Sequence, residues 1–209
     1  AFPNRLQIQW EHDAEHAAKG GKGGKVGNLA LHYRTSANKL RVVSRVQYGI
    51  PMDEPQSMNV HRTYRQTYTN VPRYWDFQIT HARQVGFVQT LAGRQVQLPK
   101  VIKREHEWSV GSTAINYRIQ GTGADQKYLA MAVLKSYMLD NGILFGFELH
   151  DGLYLYVPDE IVERVVPEVL HILDNLPYQL AWGFTPPVPL PWDAKVGKSW
   201  GTLKEWHDE

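Results

Sequence analysis

The sequence predicts an α+β fold in which helices pack on a mostly antiparallel sheet. Two observations carry that expectation. Ile143–Leu149 and Leu153–Val157 are apolar, β-prone runs separated by His150-Asp151-Gly152, the pattern of a tight hairpin. Ala124–Leu139 instead places Leu129, Val133, Leu134 and Met138 at helical spacing.

The remaining elements follow in chain order. Leu6–Trp10 reads as a short strand, and Lys19–Gly27, rich in Gly and Lys, as a flexible basic loop. Helix formers gather at Ala37–Leu40, and Tyr48-Gly49 with Pro51 supplies the stop. Asn59–Gln84 has helical potential, interrupted near Asn70–Pro72, with Tyr64, Tyr68, Tyr74 and Trp75 expected in its core; Gly86 ends it. Phe87–Leu91 and Gln95–Leu98 alternate as short strands around Gly93-Arg94. Val110–Gln120 is expected as a helix that Gly121–Gly123 breaks before Ala124–Leu139 begins. The hairpin turn is expected at Asp151-Gly152, because both residues tolerate positive φ. Pro158-Asp159 opens a helix over Glu160–Leu173, with Val162, Val165, Val166, Val169 and Leu170 as its buried face and Pro167 kinking or splitting it. Pro186–Pro191 is extended.

Composition narrows the chemistry. Of 209 residues, 43% are hydrophobic and 21% charged, enough to bury a core. Net charge is +2, which tolerates a nucleic-acid partner without demanding one. There is no cysteine, so disulfides, thiolate metal sites and thiol nucleophiles are excluded. No apolar run is long enough to span a bilayer and no signal-peptide pattern opens the chain, so a soluble intracellular domain is expected.

The hairpin is where chemistry is expected. An Asp in a turn is usually a turn former. Two buried strands nevertheless give its carboxylate a rigid support, as a hard cation such as magnesium requires. Two-metal phosphoryl transfer needs at least two carboxylates; Asp151 is a candidate for one, and the sequence offers no comparably placed second.

At this point the chain resembles family A (polymerase I-like) DNA polymerases. Phe147-Glu148-Leu149-His150-Asp151-Gly152-Leu153-Tyr154-Leu155 is similar to their motif C, and Ala82–Arg94 to their block of Ala-Arg, Gly-aromatic-Val, Thr-Leu and Gly-Arg. Ala114–Asp125 resembles the palm helix with its Asn, Gln-Gly-Thr and Ala-Asp. Pro189-Leu190 and Val196–Gly201 resemble the closing segment, and order and spacing agree over about Tyr64–Leu203. Short blocks such as Arg34-Thr35-Ser36-Ala37 look bacteriophage-like.

The resemblance implies a fingers portion over residues 1–100 and a palm portion over 101–209, with an antiparallel palm sheet bearing the motif C hairpin. It implies Asp151 as a catalytic metal ligand and His150 at the primer terminus. Asn116 and Gln120 fall on positions that touch the minor groove of the nascent duplex, where acceptors are shared by all correct pairs. Arg94 is a phosphate contact on the same reading. For motif B, Arg34, Lys39 and Tyr48 are expected to hold the incoming triphosphate and to stack near the templating base, with basic side chains on one helix face. The Lys-to-Tyr interval is one residue longer than usual, so Arg41 is the alternative to Lys39.

Three departures accompany the match. Gly152 stands where Glu is usual, and Ser112 where Arg is common. Motif A, source of the other metal-binding Asp, is not found, so the chain is expected to begin just after it and to depend on an N-terminal segment or partner chain with motif A and the thumb. The activity implied is template-directed DNA synthesis from deoxynucleoside triphosphates on primer-template DNA, with two magnesium ions, in the cytoplasm (the host bacterial cytoplasm for a bacteriophage).

Two other readings remain open. A noncatalytic DNA-binding or scaffold subunit fits Gly152 and the missing motif A. A zinc-dependent protease rests on His12-Asp13-Ala14-Glu15-His16, an H-x-x-E-H match without an evident third ligand. Gly20–Lys25 has a phosphate-loop composition, but no Ser or Thr follows Lys25.

Overall fold

The computed structural model describes residues 30–99 and 103–207. The expectations for Leu6–Trp10, Lys19–Gly27, Gly20–Lys25 and the His12/Glu15/His16 motif lie outside the described residues. The chain divides into two compact units, Ala1–Val88 with Gln97–Asn116, and Gln89–Val96 with Tyr117–Glu209. Among the described residues the elements are mostly helical, with three two-stranded sheets.

In the first unit, α1 (Ala37–Tyr48) starts at Ser36, whose side chain accepts from the Lys39 amide, and stops at left-handed Gly49. α2 (Glu54–Thr67) opens with a capping box, in which the Asp53 and Gln56 side chains each accept the other's backbone N–H. The expected interruption falls at Tyr68-Thr69, just before α3 (Asn70–Val85), and Pro72 sits in the first turn, where a missing N–H costs nothing. Left-handed Gly86 ends α3. Tyr64 and Trp75 are buried with Leu31, Leu40 and Ile115, and Tyr68 and Tyr74 pack against them. The short strands expected on either side of Gly93-Arg94 form as β1 (Phe87–Gln89) and β2 (Gln95–Gln97), which pair with each other.

α4 (Glu107–Asp140) corrects one expectation. It runs for 34 residues without a break at Gly121–Gly123. Two contacts explain the continuity. A Cβ on Gly121 would lie 2.7 Å from Thr90 Cγ2, so the glycine serves close packing. The Thr122 hydroxyl donates to the Arg118 carbonyl and accepts from the Leu91 amide, satisfying groups that would otherwise compete with the helix.

The second unit is organised around β3 (Leu144–Leu149) and β4 (Gly152–Tyr156), an antiparallel pair. Its core joins Ala130, Leu134 and Met138 of α4 with Ile143, Val165, Leu173, Leu176 and Tyr178. α5 (Val162–Asp174) begins after a 3-10 turn, Asp159–Ile161, and continues through Pro167. The proline is exposed near the start of the helix, where the missing N–H removes one bond without splitting it. Ile161 of that turn and Val165, Val169, Ile172 and Leu173 of α5 face the core. Val162, Val166 and Leu170, expected to be buried, are only half-buried. The single turn α6 (Tyr178–Trp182) and the ribbon of β5 (Lys195–Val196) with β6 (Lys204–Glu205) complete this unit, and 186–191, expected to be extended, bends at 187–188 instead.

Candidate functional site

The β3–β4 hairpin holds the strongest candidate. Leu149 pairs with Gly152, so the two turn residues are His150 and Asp151, one position earlier than the Asp151-Gly152 turn expected from sequence. His150 carries the positive φ, 53°, and Asp151 does not. Those are the φ signs of a type II′ turn, whose first position favours glycine.

A bulge decides this register. Leu144 and Phe145 pair with Tyr156 and Leu155, but the pairing shifts before Phe147, which faces Tyr154. Gly146 is the extra residue. Carried straight on, the Leu144–Tyr156 register brings Glu148 opposite Gly152 and leaves a longer loop. A Cβ on Gly146 would approach Tyr156 Cε2 at 2.9 Å and the Tyr154 carbonyl oxygen at 3.0 Å, so only glycine fits the bulge.

Asp151 and His150 are both exposed at the tip. Among the described residues Asp151 has no hydrogen-bond or ion-pair partner. The other side of the hairpin is braced. Lys127 of α4, 7% exposed, forms an ion pair with Glu148 and donates from Nζ to the His150 carbonyl at 2.9 Å. Phe147, Tyr154 and Trp200 lie nearly parallel, with ring centroids 4.5 to 5.3 Å apart.

The residues expected to hold a triphosphate do not share one face. Arg34 lies in a turn before α1 with φ 60°, its guanidinium 3.0 Å from where a Cβ on Gly111 would be. Lys39 is exposed and its ammonium sits 5.1 Å from the centroid of the Trp108 ring. Arg41 pairs with Glu54 at 3.9 Å, an exposed contact of small energetic weight. Tyr48 packs against the core of the first unit. Arg41 and Tyr48 are seven residues apart, two helical turns, and lie on one side of α1. Lys39 lies on the opposite side.

Arg94 is held within the second unit. It contacts Asp125 at 2.6 Å, donates to the Gly121 carbonyl at 3.1 Å, and lies over the rings of Tyr117 and Tyr128. The hydrogen bond to Asp125 is the main cause of its raised pKa. Asn116 and Gln120 are one turn apart on α4. Gln120 is exposed; Asn116 is half-buried and its Oδ1 has no hydrogen-bond partner among the described residues.

Asp151 suits a hard cation, since it offers a free carboxylate on a braced turn. It fits one ligand only: no group of three or more His, Asp or Glu side chains able to hold a metal occurs among the described residues. Sequence reasoning missed Lys127, Glu148 and Gly146 as parts of this site. A signal for Lys127 existed, because it falls on the stripe of Ala130, Leu134 and Met138, where an apolar residue is expected.

Comparison with known proteins gives one consistent result. The family model for DNA polymerase family A matches residues 13–202. Thermostable DNA polymerase I of Thermus aquaticus is 29% identical over 187 residues, covering 88% of this chain and 21% of that protein. DNA polymerase I of Pseudomonas aeruginosa is 30% identical, with 86% and 19% covered. The DNA polymerase of Bacillus phage SP01 is 26% identical, with 85% and 20% covered. The chain thus spans about a fifth of the length of the curated relatives it matches. Among solved structures, the POL domain of Pol1 from M. smegmatis, in complex with DNA primer-template and dNTP, superposes with a TM-score of 0.67 at 23% identity, covering 82% of this chain and 29% of that one.

Proposed function

The chain belongs to DNA polymerase family A, and from that premise we propose that it carries the C-terminal catalytic portion of a template-directed DNA polymerase. The observation that carries the proposal is Asp151: an exposed carboxylate at the tip of a hairpin whose register is set by a glycine bulge and whose back is braced by Lys127. In this reading residues 1–100 are the fingers portion and 101–209 the palm portion, acting in the cytoplasm. The partners are primer-template DNA, deoxynucleoside triphosphates and an N-terminal segment or chain that supplies motif A and the thumb.

Each side chain then has a task. Asp151 holds one of two magnesium ions, which supply the charge neutralisation that phosphoryl transfer requires. His150 contacts the primer terminus. Asn116 and Gln120 donate to minor-groove acceptors, checking pair geometry without reading sequence. Arg94 presents what its contact with Asp125 leaves exposed to a phosphate. Arg34, Lys39, Arg41 and Tyr48 form the nucleotide-binding set, and Arg41 is preferred over Lys39 because it shares a side of α1 with Tyr48. Catalysis on this plan is mostly positioning and electrostatic stabilisation.

The noncatalytic scaffold reading rests on Gly152, which stands where Glu is usual, and on the missing motif A. Primer extension with magnesium on a labelled primer–template separates the two. The chain is expected to be inactive alone and active with its N-terminal counterpart. Asp151→Asn should abolish that activity and leave DNA binding within about twofold, since the variant removes a metal ligand and no bulk. Near-normal extension by the variant overturns the catalytic assignment. Absence of extension in every combination, with DNA binding retained, supports the scaffold.

A further inference from the structure

We propose that Lys127 is a positioning residue for Asp151: its ammonium holds the His150–Asp151 peptide in the orientation that aims the Asp151 carboxylate. The inference rests on the role given to Asp151 above. Lys127 occupies the buried stripe of α4, in register with Ala130, Leu134 and Met138. An apolar side chain would continue that stripe without the desolvation cost of a charge, and a buried ion pair is weak evidence for stability. What lysine adds is a donor. Nζ reaches the Glu148 carboxylate on one side and the His150 carbonyl, at 2.9 Å, on the other.

That carbonyl lies in the peptide joining the two turn residues, outside the ladder that ends at the Leu149–Gly152 pair. The orientation of this peptide distinguishes a type II′ turn from a type I′ turn. Rotating it changes the sign of φ at Asp151, which moves Cβ and the carboxylate with it. His150 already occupies a left-handed conformation that a residue with Cβ rarely adopts, so the tip needs a hold from outside the hairpin. Glu148 orients the ammonium, and its side chain emerges from the same strand that leads into the turn.

The test uses Lys127→Met in the full 209-residue chain, with two readouts. Backbone 13C shifts of His150 and Asp151, which report φ and ψ, are expected to move. In primer extension with the N-terminal counterpart, kcat is expected to fall on the order of ten- to a hundredfold. Primer–template affinity should fall far less than kcat, because Asn116, Gln120 and Arg94, the duplex-contacting residues of the proposed function, are untouched. Lys127→Gln retains a donor and should restore the shifts and part of kcat. Wild-type shifts and kcat in Lys127→Met overturn the proposal. So does failure of both variants to fold, which assigns Lys127 to the core. Failure of the site assignment reads out separately, as near-normal extension by Asp151→Asn, whereas the 13C readout on Lys127→Met does not depend on activity.

Discussion

Arg94 and Asp125, 31 residues apart in sequence, meet at 2.6 Å with the carboxylate almost fully buried and the guanidinium half exposed. The pair ties the loop after β1 to the middle of α4. Arg94 also bonds the Gly121 carbonyl, so two groups depend on one side chain.

Removing the arginine leaves Asp125 as a buried charge without its cation. Breaking a fully buried pair costs about 3–5 kcal/mol. Because Arg94 is 44% exposed, water screens part of that. Arg94→Met is therefore expected to cost about 2 kcal/mol, read as a lower urea midpoint at constant m-value. Arg94→Met combined with Asp125→Leu should recover most of the loss. A double variant no more stable than the single one contradicts this account.

The glycines of α4 should respond with opposite signs. Alanine at an exposed helical position is worth about 0.5–1 kcal/mol over glycine. Gly123 has open space where a Cβ would be, so Gly123→Ala should stabilise by about that amount. At Gly121 the new methyl meets Thr90 Cγ2 at 2.7 Å, and Thr90 is 1% exposed and cannot withdraw. Overpacking of about 1–3 kcal/mol then exceeds the propensity gain, and Gly121→Ala should destabilise. Thermal melts of the two variants decide it.

Gly146→Ala tests the bulge. The added methyl clashes with Tyr156 and with the Tyr154 carbonyl, the latter being backbone of the paired strand. A loss of about 1–3 kcal/mol is expected. Because the bulge sets the turn residues, the Asp151 and Gly152 amide resonances should shift as well. Unchanged stability and unchanged resonances would contradict the register described here.

Alkaline pH provides a separate check. Burial, followed by the hydrogen bond to Glu168, pushes the Tyr137 phenol up to about 12 from 10.0. A group whose folded pKa is raised contributes stability that is fully present below its unfolded pKa and is lost as pH rises through the folded value. Tyr137 thus stabilises below about pH 10 and loses this contribution between about pH 10 and 12. Urea unfolding of wild type and Tyr137→Phe should show the wild-type advantage shrinking across that window. An advantage constant across it removes Tyr137 from the alkaline response.

Much of the local structure was legible in the sequence because its causes are local. Gly49 and Gly86 end α1 and α3 in the left-handed conformation that a helix stop uses, and the two apolar runs around His150–Gly152 pair as a hairpin. The Gly121–Gly123 break failed for a tertiary reason: Thr90 and Leu91, distant in sequence, occupy and satisfy that stretch of helix. The shared basic face of Arg34, Lys39 and Tyr48 failed because Arg34 precedes the helix and Lys39 is half a turn out of phase with Tyr48.

By itself the sequence determined that a hairpin with Asp151 near its tip exists, and which blocks align it with family A polymerases. Alternation of apolar residues and the order of motifs are properties of the chain alone. Only the tertiary structure decided that the turn is His150-Asp151, that Gly146 is its register device, and that Lys127 holds it from behind. Those depend on which surfaces meet: a bulge forms where a neighbouring ring and carbonyl leave no room for a side chain, and a buried lysine finds its partners only after the helix and the hairpin have packed.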